Sequence, residues 1–287
     1  MIEVKKEILK EIFKGKPREA IKYDWGLLLI IGGSDFYSGS PALAAMAAFK
    51  TGVDMVRIVA PKRAADIIAS FSPNLAAYPL EGKWLNKSHL ATLLGMTETA
   101  KISARGNVAV VIGGGIGRTD ETQEMILEYL KQISVPAVID ADAIYAISKN
   151  PKTVSGKKFL ITPHLYEFFI LTGIDVKNKN EKERTEAVKE AAKKLKTTIL
   201  LKGAVDVISD GKEVALNRTG SGYMTKGGCG DTLAGICGAL MTRGISPFLT
   251  AQAAAFINGK AGELVSEKEK EGLLATDLVE AIPKVLH

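Results

Sequence analysis

The sequence is poor in the features that mark secreted, membrane and zinc-binding proteins. Its 287 residues include two cysteines, Cys229 and Cys237, which are too few and wrongly spaced for a zinc site and suggest no disulfide scaffold. The longest apolar stretches, such as 27–31 and 41–49, are far below the roughly 18 residues that a membrane-spanning helix needs. The N-terminal residues carry no signal-peptide core. We therefore expect a cytoplasmic protein with no membrane partner.

Composition and charge narrow the class further. Hydrophobic residues make up 46% of the chain and charged residues 24%, an ordinary globular balance that excludes a disordered or collagen-like protein. The formal net charge of +6 is compatible with an anionic ligand. Many of the lysines alternate with glutamates in the segment 182–196, as on a solvated helix face. Because there is no arginine-rich stripe and no interleaving of aromatics, we expect no nucleic-acid partner.

Short apolar runs that end in Gly, Asp or Pro predict strands buried on both faces of a parallel sheet. The predicted strands are 27–31, 53–59, 108–112, 137–139, 159–161 and 198–201. Helical patterns lie between and after them, at 41–51, 121–133, 182–195, 231–242 and 249–266. This alternation predicts an α/β fold, with a mostly parallel central sheet and helices on both of its faces.

The segment 203–217 differs, because it alternates and turns at Asp210-Gly211. That dipeptide between alternating runs predicts a hairpin, and hence an antiparallel edge on the parallel sheet. No linker or internal repeat divides the chain, so we expect a single domain over residues 1–287.

The strongest motif is a glycine cluster just before a predicted helix. Gly227, Gly228 and Gly230 directly precede Asp231 and a helix of small residues. Clustered glycines let backbone N–H groups turn toward a ligand, and a helix start adds unpaired N–H groups and a positive dipole end. A carboxylate beside such an anion site would repel phosphate, so we interpret Asp231 as a base that takes a proton from a hydroxyl. The alternative is that Asp231 only caps the helix.

Two further glycine clusters follow predicted strands. Gly32 and Gly33 end the first strand, before a helix that opens at Ser40-Pro41. The second cluster, VVIGGGIGR at 110–118, lacks the spacing of the dinucleotide-binding motif, and a tight turn at a strand end is its alternative interpretation. Ligands bind outside the carboxyl ends of the strands in open α/β sheets. Three glycine-rich loops at strand ends therefore predict one ligand-binding face.

Polar residues follow three other predicted strands. Asp140 and Asp142 suit either water-mediated metal binding or capping of the next helix, and capping is the favoured role for Asp142. His164 and Glu167 follow a strand end and a proline, where a structural and a ligand-contacting role are equally compatible with the histidine. Lys202 fits either a phosphate-neutralising cation or an edge charge.

Taken in order, these motifs resemble the ribokinase-like superfamily. The set is G-G-S-x-x-Y-x-G-x-P, G-G-G-I-G, V-I-D-A-D-A, T-P-H-x-x-E, L-K-G-A and G-G-x-G-D, and it runs from about residue 22 to residue 262. Within the superfamily the chain is most similar to the ADP/ATP-dependent NAD(P)H-hydrate dehydratases. His164 distinguishes the dehydratases from the vitamin kinases of the superfamily, which usually have asparagine there. The segment GGSDFYSGSPALAA also favours the dehydratases.

The resemblance implies a repair reaction on hydrated nicotinamide cofactors. Members of the family phosphorylate the C6 hydroxyl of hydrated NADH or NADPH with ADP or ATP, and loss of phosphate and a C5 proton then restores the ring. For this chain it implies the S epimer as substrate, ADP ahead of ATP as phosphate donor, and Mg²⁺ as cofactor. It also implies a homo-oligomer such as a tetramer.

Carried over residue by residue, the resemblance implies four groups of site residues. The catalytic group is Asp231 as base, with Gly228, Cys229 and Gly230 as a backbone anion hole. The adenine nucleotide would contact Lys202, Gly203, Ala204, Val205, Asp206 and Gly230. The hydrated cofactor would contact Ser40, Gly115, His164 and Asp231, and Asp140 and Glu167 would bind magnesium through water.

The sequence departs from the family pattern at three positions. Cys229 replaces the usual serine, Gly114 stands where proline is frequent, and Lys226 stands where a small residue is common. Because position 229 needs only its backbone N–H, we expect activity to survive. The sequence shows no epimerase domain of the kind fused to many relatives, so we expect action on one epimer.

Two other functions stay open from the sequence. One is a small-molecule hydroxyl kinase of the same superfamily, acting on a vitamin precursor or a sugar. The other is a catalytically silent nucleotide-binding protein. The products separate the first from a dehydratase, since a kinase releases a phosphorylated alcohol and a dehydratase releases free phosphate.

Overall fold

The computed structural model describes residues 1–286, and a ten-stranded sheet forms its centre. The strands are β1 (Ile2–Glu3), β2 (Leu27–Ile31), β3 (Met55–Pro61), β4 (Ala76–Leu80), β5 (Val108–Ile112), β6 (Ala137–Ile139), β7 (Phe159–Ile161), β8 (Thr198–Leu201), β9 (Asp206–Ser209) and β10 (Val214–Asn217). Their order across the sheet is β1-β10-β9-β8-β7-β6-β5-β2-β3-β4. All neighbours from β8 to β4 are parallel, whereas β9 is antiparallel to both β8 and β10.

Helices cover both faces of this sheet. They are α1 (Glu7–Ile12), α2 (Gly39–Thr51), α3 (Lys62–Phe71), α4 (Leu90–Ser103), α5 (Asp120–Gln132), α6 (Asp142–Lys149), α7 (Leu165–Thr172), α8 (Glu181–Leu195), α9 (Cys229–Thr242), α10 (Pro247–Glu269) and α11 (Ala275–Val285). Helices α1 to α3 and α9 to α11 bury apolar side chains on one face, and α4 to α8 bury theirs on the other. None of the helices within residues 1–286 combines the length and the apolar character needed to cross a membrane.

The central strands are apolar throughout because both of their faces are covered. In β2, Leu28 and Ile30 point into one core, while Leu27, Leu29 and Ile31 point into the other. Every residue of β2 and of β5 is buried. This two-sided burial is the reason that continuous apolar runs, rather than alternating ones, predict these strands. The α/β fold with a mostly parallel sheet is confirmed.

The structure differs from the predicted elements at the two edges of the sheet. The predicted hairpin is confirmed as β9 and β10, but β10 is not outermost, because β1 adds to it in parallel. No apolar run in the sequence indicates β1, because this strand of two exposed residues, Ile2 and Glu3, forms only through its pairing with β10. At the other edge, β4 is largely exposed and contains Pro79. Both features are compatible with an edge strand, and they explain why β4 does not form the continuous apolar run by which the other strands were predicted.

Two helices of small residues pack closely and bring their N-terminal ends together. A Cβ atom on Gly235 of α9 would lie 2.1 Å from the carbonyl oxygen of Ala44 in α2. Only glycine permits this approach, which explains the small-residue sequence of α9. The contact sets the first turn of α9, with Asp231, beside the first turn of α2, with Ser40.

Candidate active site

The candidate site is a cleft at the carboxyl ends of β2, β5, β6, β7 and β8, which are neighbours in the sheet. Its volume is about 1560 Å³. The predicted residues that line it are Ser40, Gly115, Asp140, His164, Glu167, Lys202, Gly203, Ala204, Asp206, Gly228, Cys229, Gly230 and Asp231. Val205 is the exception among the predicted residues, because its side chain packs against the apolar core instead. Loops from six separate parts of the chain therefore meet at the carboxyl ends of the parallel strands.

The start of α9 has the geometry of an anion-binding site. Gly228 precedes the helix with φ of 100°, and a Cβ there would lie 2.6 Å from the Cβ of Ala275, so both conformation and space require glycine. The first hydrogen bond of the helix runs from the Thr232 N–H to the Gly228 carbonyl at 3.0 Å. Within residues 1–286, the N–H groups of Gly228 and Gly230 donate to no protein acceptor. They are thus available to an anion at the positive end of the helix dipole.

Asp231 is the third residue of α9, so it is not the residue that precedes and caps the helix. The Ser40 hydroxyl lies beside its carboxylate and favours the ionised form, and Oδ1 of Asp231 lies 3.1 Å from the position that a Cβ on Gly114 would occupy. Burial and the negative charge of Asp140 raise the pKa of Asp231 to about 6, against the opposing effects of Ser40 and Lys202. A carboxyl group with this pKa is an effective proton acceptor near neutral pH.

Lys202 is the central cation of the cleft. Its Nζ lies 3.0 Å from Oδ1 of Asp140 and 3.9 Å from Oε2 of Glu167. The same Asp140 oxygen accepts a hydrogen bond from the Thr162 hydroxyl at 2.7 Å. Burial opposes the charge of Lys202, but the carboxylates of Asp140, Glu167 and Asp231 overcome it and raise the pKa of Lys202. The lysine therefore stays charged and presents a cation to the cleft.

These carboxylates do not form a protein-held metal cage. Lys202 lies between Asp140 and Glu167, where a directly bound ion would have to be, and Oε2 of Glu167 already accepts the His164 N–H at 2.8 Å. No cluster of three metal-ligating side chains occurs in the described part of the chain. Oδ2 of Asp140 accepts no hydrogen bond within residues 1–286, so it suits a water molecule of a hydrated magnesium ion. The donor set fits water-mediated binding only.

His164 has a structural role, which was one of the two roles that the sequence left open for it. It precedes α7, where its Nδ1 accepts hydrogen bonds from the N–H groups of Tyr166 and Glu167 at 3.1 and 3.2 Å. Glu167 returns the contact to the His164 N–H, which completes a capping box. Burial and the nearby Lys202 charge lower the pKa of His164, so its imidazole is neutral with the proton on Nε2. That Nε2 lies 3.3 Å from Oε1 of Glu167, and the half-exposed imidazole ring forms part of the cleft wall.

The helix-capping role favoured for Asp142 is wrong. Asp142 begins α6, but its carboxylate instead accepts the Gly117 N–H at 3.0 Å and the Arg118 Nε–H at 2.6 Å. The guanidinium of Arg118 in turn lies 3.6 Å from the ring centre of Tyr145. Asp142 thus ties the glycine loop after β5 to α6. The contact joins residues far apart in sequence, so no local pattern predicts it.

Several cleft residues carried no signal in the sequence. Tyr37 packs against Gly115, and Trp84 packs against Gly117, so aromatic rings form part of the wall. Asn258 in α10 donates to the Cys229 carbonyl at 3.2 Å and steadies the start of α9. Lys226, whose role the sequence left open, donates to the Glu271 carbonyl. Tyr37 lies inside the early glycine-rich motif and Lys226 beside the last one, whereas Trp84 and Asn258 belong to no motif of the sequence.

Fold and site together define an α/β protein whose cleft, at the carboxyl ends of the parallel strands, holds the Asp231 carboxylate beside the unbonded N–H groups at the start of α9. The model of the NAD(P)H-hydrate dehydratase family matches residues 28–284. The chain belongs to this family, as its motifs predicted.

Individual relatives agree with this assignment. The chain is 38% identical over 283 residues to the bifunctional NAD(P)H-hydrate repair enzyme Nnr of Hyperthermus butylicus, covering 96% of this chain and 51% of that protein. It is 34% identical to the ADP-dependent (S)-NAD(P)H-hydrate dehydratase of Cenarchaeum symbiosum, covering 97% and 94%. The chain spans about half the length of the first of these relatives and nearly the whole of the second.

A solved structure shows the same architecture. The ADP/ATP-dependent NAD(P)H-hydrate dehydratase of Bacillus subtilis, co-crystallised with ATP/Mg²⁺, superimposes with a TM-score of 0.81 at 26% identity. The match covers 99% of this chain and 97% of that one.

Proposed function

We propose that this chain catalyses the ADP-dependent dehydration of the S epimer of hydrated NADH or NADPH. The observation that carries the proposal is the pairing of Asp231, whose pKa burial raises to about 6, with the unbonded N–H groups of Gly228 and Gly230. A base and an anion hole one residue apart suit phosphoryl transfer to a hydroxyl, because the same place must accept a proton and stabilise a transferred phosphoryl group.

The cleft has room for both co-substrates. Its volume of about 1560 Å³ exceeds the roughly 300–1,000 Å³ of a pocket for one drug-sized ligand. The loop after β8 and the start of α9 form the nucleotide side, and Ser40, Gly115 and His164 form the side for the hydrated cofactor. ADP is the proposed donor because the relative from Cenarchaeum symbiosum is named ADP-dependent and acts on the S epimer.

The first chemical step is phosphorylation of the C6 hydroxyl. Asp231 accepts the hydroxyl proton, and the freed oxygen attacks the terminal phosphorus of ADP, whose bond to the bridging oxygen breaks to release AMP. The N–H groups of Gly228 and Gly230 donate hydrogen bonds to the phosphoryl oxygens as the group moves, and Lys202 neutralises part of its charge. Asp140 and Glu167 would hold a hydrated magnesium ion through its waters, which adds charge neutralisation at the phosphates.

The second step is elimination. The C6–O bond breaks with its electron pair leaving on phosphate, the C5 proton passes to solvent water, and the electrons of the C5–H bond form the C5=C6 double bond of NADH or NADPH. Phosphorylation makes this possible because phosphate is a far better leaving group than hydroxide. The products are NAD(P)H, AMP and inorganic phosphate.

Product analysis tests this proposal. Purified protein is mixed with hydrated NADH, magnesium and ADP, and phosphorus NMR follows the products. The proposal predicts inorganic phosphate and AMP in equal amounts, together with NADH. A phosphorylated alcohol that accumulates, with no inorganic phosphate, would instead assign the chain to the small-molecule kinases of the superfamily.

We further propose that the protein acts in the cytoplasm as a homo-oligomer, as the resemblance of its motifs implies. Light scattering coupled to size-exclusion chromatography gives the subunit number directly. A mass equal to one chain at micromolar concentration would contradict this part of the proposal.

A further inference from the structure

The open end of the β9–β10 hairpin lies on the nucleotide side of the cleft. Asp206 begins β9 and Asn217 ends β10, and the two residues are cross-strand partners. Gly203, just before the hairpin, and Thr219, just after it, both line the cleft. The pair Asp206–Asn217 therefore connects the loop before β9, which contains Gly203, to the loop after β10, which contains Thr219, at the point where the two loops meet the hairpin.

Both carboxylate oxygens of Asp206 are already used by the protein. Oδ1 accepts the Gly203 N–H at 3.0 Å, and Oδ2 accepts the side-chain amide of Asn217 at 3.0 Å. Asn217 is completely buried, so its amide has no water to turn to. Its own Oδ1 accepts the Thr219 hydroxyl at 2.9 Å. One chain of hydrogen bonds thus runs from Gly203 through Asp206 and Asn217 to Thr219.

The far end of this chain is fixed against α10. A Cβ on Gly259 would lie 2.1 Å from the Thr219 hydroxyl oxygen, so the loop after β10 lies directly on the helix. The near end, Gly203, follows Lys202, whose Nζ is bound to Asp140. The loops on the two sides of the hairpin are therefore held at a fixed separation by hydrogen bonds that lie outside the reacting centre.

We propose that Asp206 is a positioning residue for the nucleotide: with Asn217, it fixes the 203–205 loop relative to the 219–222 loop, and it does not itself contact the nucleotide. This inference rests on the proposed function, because the nucleotide is taken to be ADP. A carboxylate facing a nucleoside diphosphate would repel it, whereas one that is occupied by Gly203 and Asn217 preorganises the loops. Burial raises the pKa of Asp206 to about 6, as expected for a charge kept inside the protein.

A charge exchange across the hairpin tests the inference. Asn217→Asp places two carboxylates at a contact that is now 3.0 Å. At mildly alkaline pH the pair either repels, which separates the loops, or must take up a proton at a cost in free energy. The double variant Asp206→Asn/Asn217→Asp restores the pairing, since an amide at position 206 donates to the carboxylate at position 217 and still accepts the Gly203 N–H. The carboxylate at position 217 still accepts the Thr219 hydroxyl.

The readout is ADP affinity by isothermal titration calorimetry at mildly alkaline pH, alongside KM for ADP and kcat. Asn217→Asp should weaken ADP binding at least about tenfold, since a lost buried hydrogen bond costs on that order. The double variant should return to within about threefold of the unmodified protein. The loss should appear in KM for ADP more than in kcat, because Asp231 and α9 are unchanged.

Two single variants complete the test. Ser209→Ala removes a fully buried hydroxyl that bonds Glu213 and Gly211 at the turn end of the same hairpin. It therefore destabilises the hairpin by the loss of buried hydrogen bonds, as Asn217→Asp does, but at a place remote from the cleft. It should leave ADP affinity unchanged. Thr219→Val removes the hydroxyl at the end of the hydrogen-bond network, which bonds Asn217 at 2.9 Å and lies 3.5 Å from the carbonyl oxygens of Ala255 and Phe256. It should weaken ADP binding by a few-fold, and it provides the test if Asn217→Asp does not fold.

The possible results separate this inference from the proposed function. Unmodified protein that binds no ADP would overturn the proposed function. Unmodified protein that binds ADP, with equal affinity in Asn217→Asp or, where that variant does not fold, in Thr219→Val, would overturn the positioning role alone. Failure of the double variant to recover affinity would also overturn it.

Discussion

Replacement of Asp231 by asparagine should slow turnover by orders of magnitude and stabilise the protein at the same time. The amide keeps the shape of the carboxyl group and its place beside Ser40, but it cannot accept a proton from the substrate hydroxyl. A positioned general base contributes about 10²–10⁴-fold to a rate. We therefore expect kcat to fall by about that factor, with ADP still bound.

The gain in stability follows from the raised pKa of Asp231, about 6 against an ordinary 3.8, for which burial is the main cause. The native state holds this proton more tightly than the unfolded state does. Stability from this group is thus greatest below pH 3.8 and is lost as the pH rises toward 6. Ionisation of Asp231 costs about 3 kcal/mol above that range, an upper limit for what Asp231→Asn recovers.

Urea unfolding of both proteins at several pH values measures this difference. The account predicts a variant that is more stable at neutral pH, by up to about 3 kcal/mol, with the advantage shrinking as the pH falls toward 4. Ser209→Ala provides a control whose stability difference does not vary with pH in this range. Equal stability of Asp231→Asn and the unmodified protein at all pH values, or turnover within tenfold, would refute the reasoning.

Three further predictions follow from the same geometry. The pH profile of kcat/KM should fall below about pH 6, because Asp231 is then protonated; a profile flat to pH 5 would contradict its role. Cys229→Ser should keep kcat within about threefold, because the buried side chain at position 229 is no part of the anion site, which the N–H groups of Gly228 and Gly230 form. Gly228→Ala should lose stability and activity, because its Cβ would lie 2.6 Å from that of Ala275. Thermal melts and rates measure the effects of both changes. Lys202→Met should move the acid limb of the pH profile upward, since Lys202 holds down the pKa of Asp231; an unmoved limb would mean that the two groups do not interact.

The sequence predicted the parts of the fold that depend on local pattern and two-sided burial. The runs that became β2, β5, β6, β7 and β8 were predicted with the bounds that the structure has. The edge strands β1 and β4 were not, because β1 exists only through its pairing with β10 and β4 has an exposed face. Edge strands are not buried on both faces, so they lack the continuous apolar runs from which the central strands can be predicted.

The site divides in the same way. Glycine clusters at strand ends indicated the cleft, since parallel strands place their carboxyl ends on one edge. The contacts that set the charges of the site could not be predicted, because they join residues far apart in the sequence. Lys202 bonds Asp140 across 62 positions, and Asp142 bonds Arg118 rather than capping α6. Val205 lies in the loop after β8 with its side chain packed against the core, so a nucleotide contact there, which stays a prediction, would involve its backbone.

The most direct test of the central claim is the near-ultraviolet absorbance of the reduced nicotinamide ring. Purified protein is incubated with hydrated NADH and magnesium, and ADP or ATP is then added, with Asp231→Asn in parallel. The account predicts an absorbance rise that starts only on addition of ADP and is absent in the variant. No rise with either nucleotide, from protein that binds ADP, would contradict the dehydratase assignment.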